Sequence, residues 1–182
     1  MTRNPTPGDR AATGSPATQG PAPASFHEDA AQGYELLVNL AELVPGVIYQ
    51  YRLYPDGRSA FPYSSPAMNA IYELAPEDVR EDASPVFGRI HPDDLQAVSD
   101  AIQESARTLR TFYSEFRVVL PRQGLRWRWS QAHPQRMPDG STLWHGIISD
   151  ITERKLVEAE KARLEDQLRQ AQKMESVGRL AG

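Results

Sequence analysis

Hydrophobic positions change period several times along this chain, and each change marks an element. Leu36, Leu40 and Leu43 recur at helical spacing with Leu37 and Val44 beside them, and Pro45-Gly46 stops the run. This predicts an N-terminal amphipathic helix within 26–45, firmest over 34–44 because Gly33 weakens its middle. Val47-Ile48-Tyr49-Gln50-Tyr51-Arg52-Leu53-Tyr54 is β-branched and aromatic, as a strand requires. Pro55-Asp56-Gly57 then predicts a turn, and a short strand over 59–64 completes a hairpin. Pro66, Pro76 and Pro85 leave room only for short helices across 66–90. His91-Pro92-Asp93-Asp94 opens a longer helix running to about Leu109. An Asp is expected to cap it, and Leu95, Val98, Ile102 and Ala106 form its buried stripe.

Three strands follow. The first spans 111–120, with Phe112, Phe116, Val118 and Leu120 sharing one face with Ser114. The second spans 125–136 and the third 142–151. Met137-Pro138-Asp139-Gly140 predicts a hairpin between them with Asp139-Gly140 as a two-residue loop. The stretch 152–182 is helical, and acids and bases alternate along it. Val157, Lys161, Leu164, Leu168 and Ala171 follow a short heptad seam with one polar interruption, before the spacing shifts to Met174, Val177, Leu180 and Ala181. A single amphipathic surface helix would give a similar stripe. The narrow seam among mixed charges favours a coiled-coil homodimer. Helices between two groups of strands describe an α+β domain around one antiparallel sheet.

Composition narrows the chemistry. The chain has 182 residues, a net charge of −4 and no cysteine. The acidic balance argues against a nucleic-acid footprint. Without cysteine there is no disulfide framework, thiolate metal site or cysteine nucleophile, and flavin photochemistry through a cysteine adduct is excluded. Residues 1–25 are rich in Pro, Gly, Ala, Ser and Thr, which predicts a disordered tail. They lack the apolar core of a secretory signal, and no segment is long and apolar enough to span a membrane, so a cytoplasmic location is expected.

Specific wording adds a family resemblance. His91-Pro92-Asp93-Asp94, Trp127 on a strand, the Asp139-Gly140 turn, and Gly146-Ile147-Ile148-Ser149-Asp150-Ile151-Thr152-Glu153-Arg154-Lys155 together resemble the PAS sensor domain over roughly 46–155, with the domain itself placed at 46–151. The resemblance implies a PAS-like five-stranded antiparallel sheet with flanking helices, followed by a long C-terminal coiled-coil helix. Gln170-Ala171-Gln172-Lys173-Met174-Glu175-Ser176-Val177-Gly178-Arg179-Leu180-Ala181-Gly182 resembles the entry to the dimerisation and phospho-acceptor helix of sensor histidine kinases. That implies a two-component parent with a kinase domain and a response regulator as partners, and an acceptor histidine a few residues beyond Gly182. A dimerisation module without ligand, or the input to a diguanylate cyclase, is the alternative.

Candidate site residues follow from the predicted hairpin. A two-residue loop sets His145 opposite Pro134 and His133 opposite Gly146, which sends the two imidazoles to opposite faces and precludes a shared metal. Some PAS domains bind haem through one histidine, which leaves His145 or His133 as a haem-ligand candidate. His91 reads as a helix cap. The same register sets Trp129 opposite Asp150 and Trp127 opposite Thr152, so Trp127, Trp129, Asp150 and Thr152 are candidates for coupling the sheet to the exit helix. Asp150 and Glu153 together resemble a capping box. Tyr49, Phe116, Arg128, Ser130 and His145 are the pocket candidates. Arg128 and Ser130 share a face, and a solvated face is favoured because a buried Arg must be paired. Val157, Leu164, Leu168 and Ala171 are the expected dimer contacts. No triad, phosphate loop or paired-carboxylate helix suggests catalysis.

Overall fold

The computed structural model describes residues 45–182, so the predicted tail and the helix within 26–45 lie outside the described residues. Strands β1 (Val47–Leu53) and β2 (Ser59–Ser64) form a hairpin. Three short helices follow: α1 (Met68–Tyr72), α2 (Pro76–Val79) and α3 (Ser84–Phe87). Pro76 and Pro85 each sit in a first helical turn, where a missing amide donor costs nothing. Helix α4 (Pro92–Thr108) leads into β3 (Phe112–Leu120), β4 (Gly124–Arg136), β5 (Thr142–Asp150) and the exit helix α5 (Thr152–Ala181). The sheet order is β2-β1-β5-β4-β3, and every pairing is antiparallel. The first and last strands thus meet at the sheet centre, where β1 pairs with β5. Pro62 is tolerated because β2 is an edge strand and its missing donor opposes no neighbour.

One sheet face carries the core. Val47, Tyr49, Tyr51, Phe112, Phe116, Val118, Trp144 and Ile148 point inward to meet Met68, Tyr72, Val79, Val86 and Val98 from the helices. Helix α4 keeps Val98, Ile102 and Ala106 of its predicted stripe against the core and departs from it at Leu95. Leu95 is largely exposed, while Val98, Ser105 and Ala106 are buried. Asp94 takes the inner position of the first turn instead, because its carboxylate accepts the Arg117 backbone N–H at 2.8 Å and its guanidinium at 2.6 Å. That pairing holds the Asp94 carboxyl below its usual range. The cap is His91, as its place in the His-Pro-Asp-Asp turn suggests, and not an Asp: its Nδ1 accepts the Asp93 N–H at 3.3 Å.

The β4–β5 hairpin closes one residue away from its predicted register. Arg136 pairs with Thr142, Met137 N–H donates to the Ser141 carbonyl, and Gly140 N–H donates back to the Met137 carbonyl. Pro138 is the reason. A loop of Asp139-Gly140 would have closed on a Pro138–Ser141 pair, and proline has no N–H to give that pair. The chain adopts a type I turn with Pro138 and Asp139 at its centre, and Gly140 follows at φ +83°. Pro55-Asp56-Gly57 repeats the geometry between β1 and β2, with Gly57 at φ +88°. In both turns the Asp carboxylate accepts the N–H two residues on, at 3.0 Å.

Candidate functional site

Gly146 opens the interior. It pairs with Tyr49 on one side and Ala132 on the other. A Cβ there would stand 2.5 Å from the Ala132 Cβ and 2.9 Å from the Tyr49 ring. The vacancy lets Tyr49 lie across β5 and reach β4, where its hydroxyl meets Ser130 Oγ at 3.0 Å. Burial pushes the Tyr49 phenol up to about 12, so it stays a neutral hydrogen-bonding group. Tyr51 stacks among Phe61, Phe87 and Trp144, with ring centroids 5.2 to 5.8 Å away. Trp144 Nε1–H donates to Ser105 Oγ at 2.9 Å, which ties the sheet to α4.

These side chains enclose a cavity of about 40 Å³, lined by Tyr49, Tyr72, Phe116, Ser130, Trp144 and Ile148 among others. That is room for a few waters, against ~150 Å³ for a cavity that takes benzene. One polar feature is unspent. The Tyr72 hydroxyl is fully buried and has no hydrogen-bond partner among the described residues. Burial raises its pKa, so it too remains protonated.

Arg128 stands beside this cavity but does not line it. Its side chain is 0% exposed, which overturns the outward orientation favoured by charge alone. The true register sets Arg128 opposite Asp150, and Nη1 lies 2.7 Å from the Asp150 carboxylate. Nε and Nη2 both donate to the Ile71 carbonyl, at 3.1 and 2.6 Å, and Nη1 donates to the Trp127 carbonyl at 3.1 Å. Burial lowers the guanidinium pKa, and Asp150 opposes that shift. Burial raises the Asp150 carboxyl, but hydrogen bonds from Thr152 and the charge of Arg128 outweigh it and leave it below its usual range.

Asp150 also contacts the start of α5. Its Oδ1 accepts the Thr152 N–H at 2.8 Å. The predicted capping box of Asp150 with Glu153 does not form, because the helix starts one residue later with Ile151 as the cap residue, whose N–H donates to the Trp127 carbonyl at 3.1 Å. Trp127 N–H in turn donates to Thr152 Oγ1 at 2.9 Å. Trp127, Asp150 and Thr152 thus converge at this junction. Trp129 does not: it faces Ser149 rather than Asp150, and its ring meets Tyr113 edge-on at 6.1 Å.

The pocket candidates divide. Tyr49, Phe116 and Ser130 line the cavity, whereas His145 lies exposed on the opposite face of the sheet. The corrected register places His133 directly opposite His145, so both imidazoles share that outer face, against the expectation of opposite faces. A haem held by either histidine would lie outside the sheet, so neither histidine fits a haem in the interior. Among the described residues no group of three or more His, Asp or Glu is arranged to hold a metal ion. Residues missed from sequence are Tyr72 and Ile71, since the Pro-broken stretch around them gave no periodicity to orient them. Val157, Leu164, Leu168 and Ala171 are exposed along α5.

Comparison with known proteins bears on the fold. Residues 61–148 match the family model described as the PAS fold. A sensory box histidine kinase/response regulator from Burkholderia thailandensis superposes with a TM-score of 0.54 at 23% identity, covering 75% of this chain and 98% of that one. A light-oxygen-voltage domain solved with a flavin analogue gives 0.50 at 13% identity, covering 77% and 98%. The N-terminal domain of a diguanylate cyclase with PAS/PAC sensor from Marinobacter aquaeolei gives 0.49 at 20% identity, covering 60% and 98%. An uncharacterised protein of Sinorhizobium fredii is 39% identical over 74 residues, or 40% of this chain. The chain spans 9% of the length of that curated relative. The architecture is a PAS fold: residues 61–148 are the matched PAS domain, and the long helix Thr152–Ala181 follows it. No helix among the described residues is long and apolar enough to cross a membrane.

Proposed function

We propose that this chain is the sensory input module of a two-component histidine kinase, acting from the cytoplasm. In this reading, repacking of the aromatic interior biases the exit helix and so controls autophosphorylation in a parent protein, which passes phosphate to a response regulator. The observation that carries it is Arg128. One buried guanidinium holds the Ile71 carbonyl, next to cavity-lining Tyr72, and also Asp150, which holds the first amide of α5. A stimulus acts only through its differential affinity for two arrangements of such a junction. Support for a kinase output comes from the Met174–Gly182 wording, which resembles kinase acceptor helices. A diguanylate cyclase output would use the same junction.

A homodimer through α5 completes the reading, with Val157, Leu164, Leu168 and Ala171 as the contacts. Leu164→Lys with Leu168→Lys is expected to give monomers in sedimentation velocity. An unchanged dimer would put the interface elsewhere.

The small cavity favours one second reading, an interaction module that senses a partner rather than a ligand. Native mass spectrometry of the purified protein separates the two. A co-purified small molecule supports ligand sensing, and an empty interior across growth conditions favours the interaction module.

A further inference from the structure

Every hydrogen bond and ion pair described between α5 and the sheet falls within its first turn, and no α5 residue is buried. Two separate anchors act there. The first is on β4, where the backbone of Trp127 exchanges hydrogen bonds with Ile151 and Thr152. It fixes where the helix begins. The second is on β3. Glu115 Oε1 accepts from Arg154 Nη2 at 2.7 Å, and Oε2 from Lys155 Nζ at 2.6 Å. Tyr113 Oη–H donates to the same carboxylate at 3.2 Å, and Lys155 Nζ lies 5.1 Å from the centre of the Trp127 ring.

A rod held at one point can still swing, and a second contact off its end fixes its direction. We infer that Glu115 is the positioning residue that sets the direction of α5, by clamping Arg154 and Lys155 to β3 on the face of the sheet opposite the Arg128–Asp150 pair. Geometry favours this over an ordinary surface ion pair. One carboxylate takes both oxygens to two adjacent cations, its side chain is only 22% exposed, Tyr113 donates to it, and Lys155 lies over the Trp127 ring. Exposed single pairs have too little order to orient anything. The lever is long: 30 residues extend about 45 Å, so a tilt of about 10° displaces the far end by roughly 8 Å. The clamp would therefore set the geometry delivered to whatever follows α5, independently of the cavity.

The chain has no cysteine, so two introduced ones report cleanly. Spin labels at Arg80→Cys and Gln172→Cys are both exposed, and electron–electron double resonance reads the distance between them after dilution with an excess of unlabelled chain. A narrow distribution is expected for the parent, and a broader or shifted one for Glu115→Gln with helix content unchanged by circular dichroism. Removing the intrahelical pair with Arg163→Gln should change nothing. Should Glu115→Gln fold poorly, Arg154→Gln with Lys155→Gln removes the same clamp from the exposed helix and should broaden the distribution equally. A distribution for the clamp variants that superposes on the parent's overturns the inference. Neither result depends on any ligand, so the sensory reading stands or falls separately.

Discussion

Asp150→Asn tests the buried junction most directly. The substitution removes the carboxylate charge that Arg128 faces at 2.7 Å but keeps a carbonyl oxygen for the Thr152 N–H. It leaves a guanidinium that is 0% exposed with only the Ile71 and Trp127 carbonyls. Breaking one side of a fully buried pair costs 3–5 kcal/mol. Asp150 is 36% exposed, so water reaches part of the site and the expected loss is smaller, about 2 kcal/mol. For a domain of this size that corresponds to roughly 10 °C in Tm. Urea unfolding followed by tryptophan fluorescence reads it as a shifted midpoint at constant slope. Arg128→Met removes the charge instead, and the double variant should lose at least about 1 kcal/mol less than the two single losses summed, because the stranded charge is gone. A loss below about 0.5 kcal/mol for Asp150→Asn, or strict additivity in the double variant, would refute the reasoning.

Three further outcomes are expected. The Glu115 carboxyl is held down to about 2, first by the hydrogen bond from Lys155 and then by that from Arg154, against an ordinary 4.5. A depressed folded pKa means the clamp stabilises fully above about 4.5 and loses that stabilisation as pH falls towards 2. The stability gap between the parent and Glu115→Gln should therefore be flat near neutrality and close across that acid range; a gap that persists at pH 2 would exclude the carboxylate charge as its source. Tyr72→Phe removes a buried hydroxyl without a partner, so its stability should match or exceed the parent's by up to about 1 kcal/mol in chemical denaturation. A clear loss would show that the hydroxyl is bonded. Gly146→Ala places a Cβ 2.6 Å from the Gln131 carbonyl, which cannot move without breaking the β4–β5 ladder. It should cost about 1–3 kcal/mol in the same measurement.

Strand positions were legible because alternation and β-branching act locally. Val47–Leu53, Ser59–Ser64 and Phe112–Leu120 fall where the pattern puts them. The cross-strand partners were harder, because they depend on one turn. Asp139-Gly140 alone suggests a two-residue loop, and a slip of one residue moves every partner. That slip separates His133 from His145 and gives Asp150 to Trp129, when the sheet gives it to Arg128. The signal that decides it is Pro138, whose missing N–H cannot close the shorter hairpin. Ile71 and Tyr72 were beyond reach for a different reason. They lie between prolines on a five-residue helix, where only tertiary packing orients a side chain.

The orientation of Arg128 has the same origin as the register. A lone guanidinium is costly to bury, so charge by itself argues for the solvent face. Once Pro138 sets the turn, Asp150 becomes its direct partner, and the Ile71 and Trp127 carbonyls take further donors. The side chain that looked least suited to the interior then joins the cavity wall to the exit helix on one face of the sheet. Glu115 holds that helix from the other face. Charged groups on opposite faces of the sheet therefore converge on the first turn of one helix, Asp150 at its first amide and Glu115 at Arg154 and Lys155.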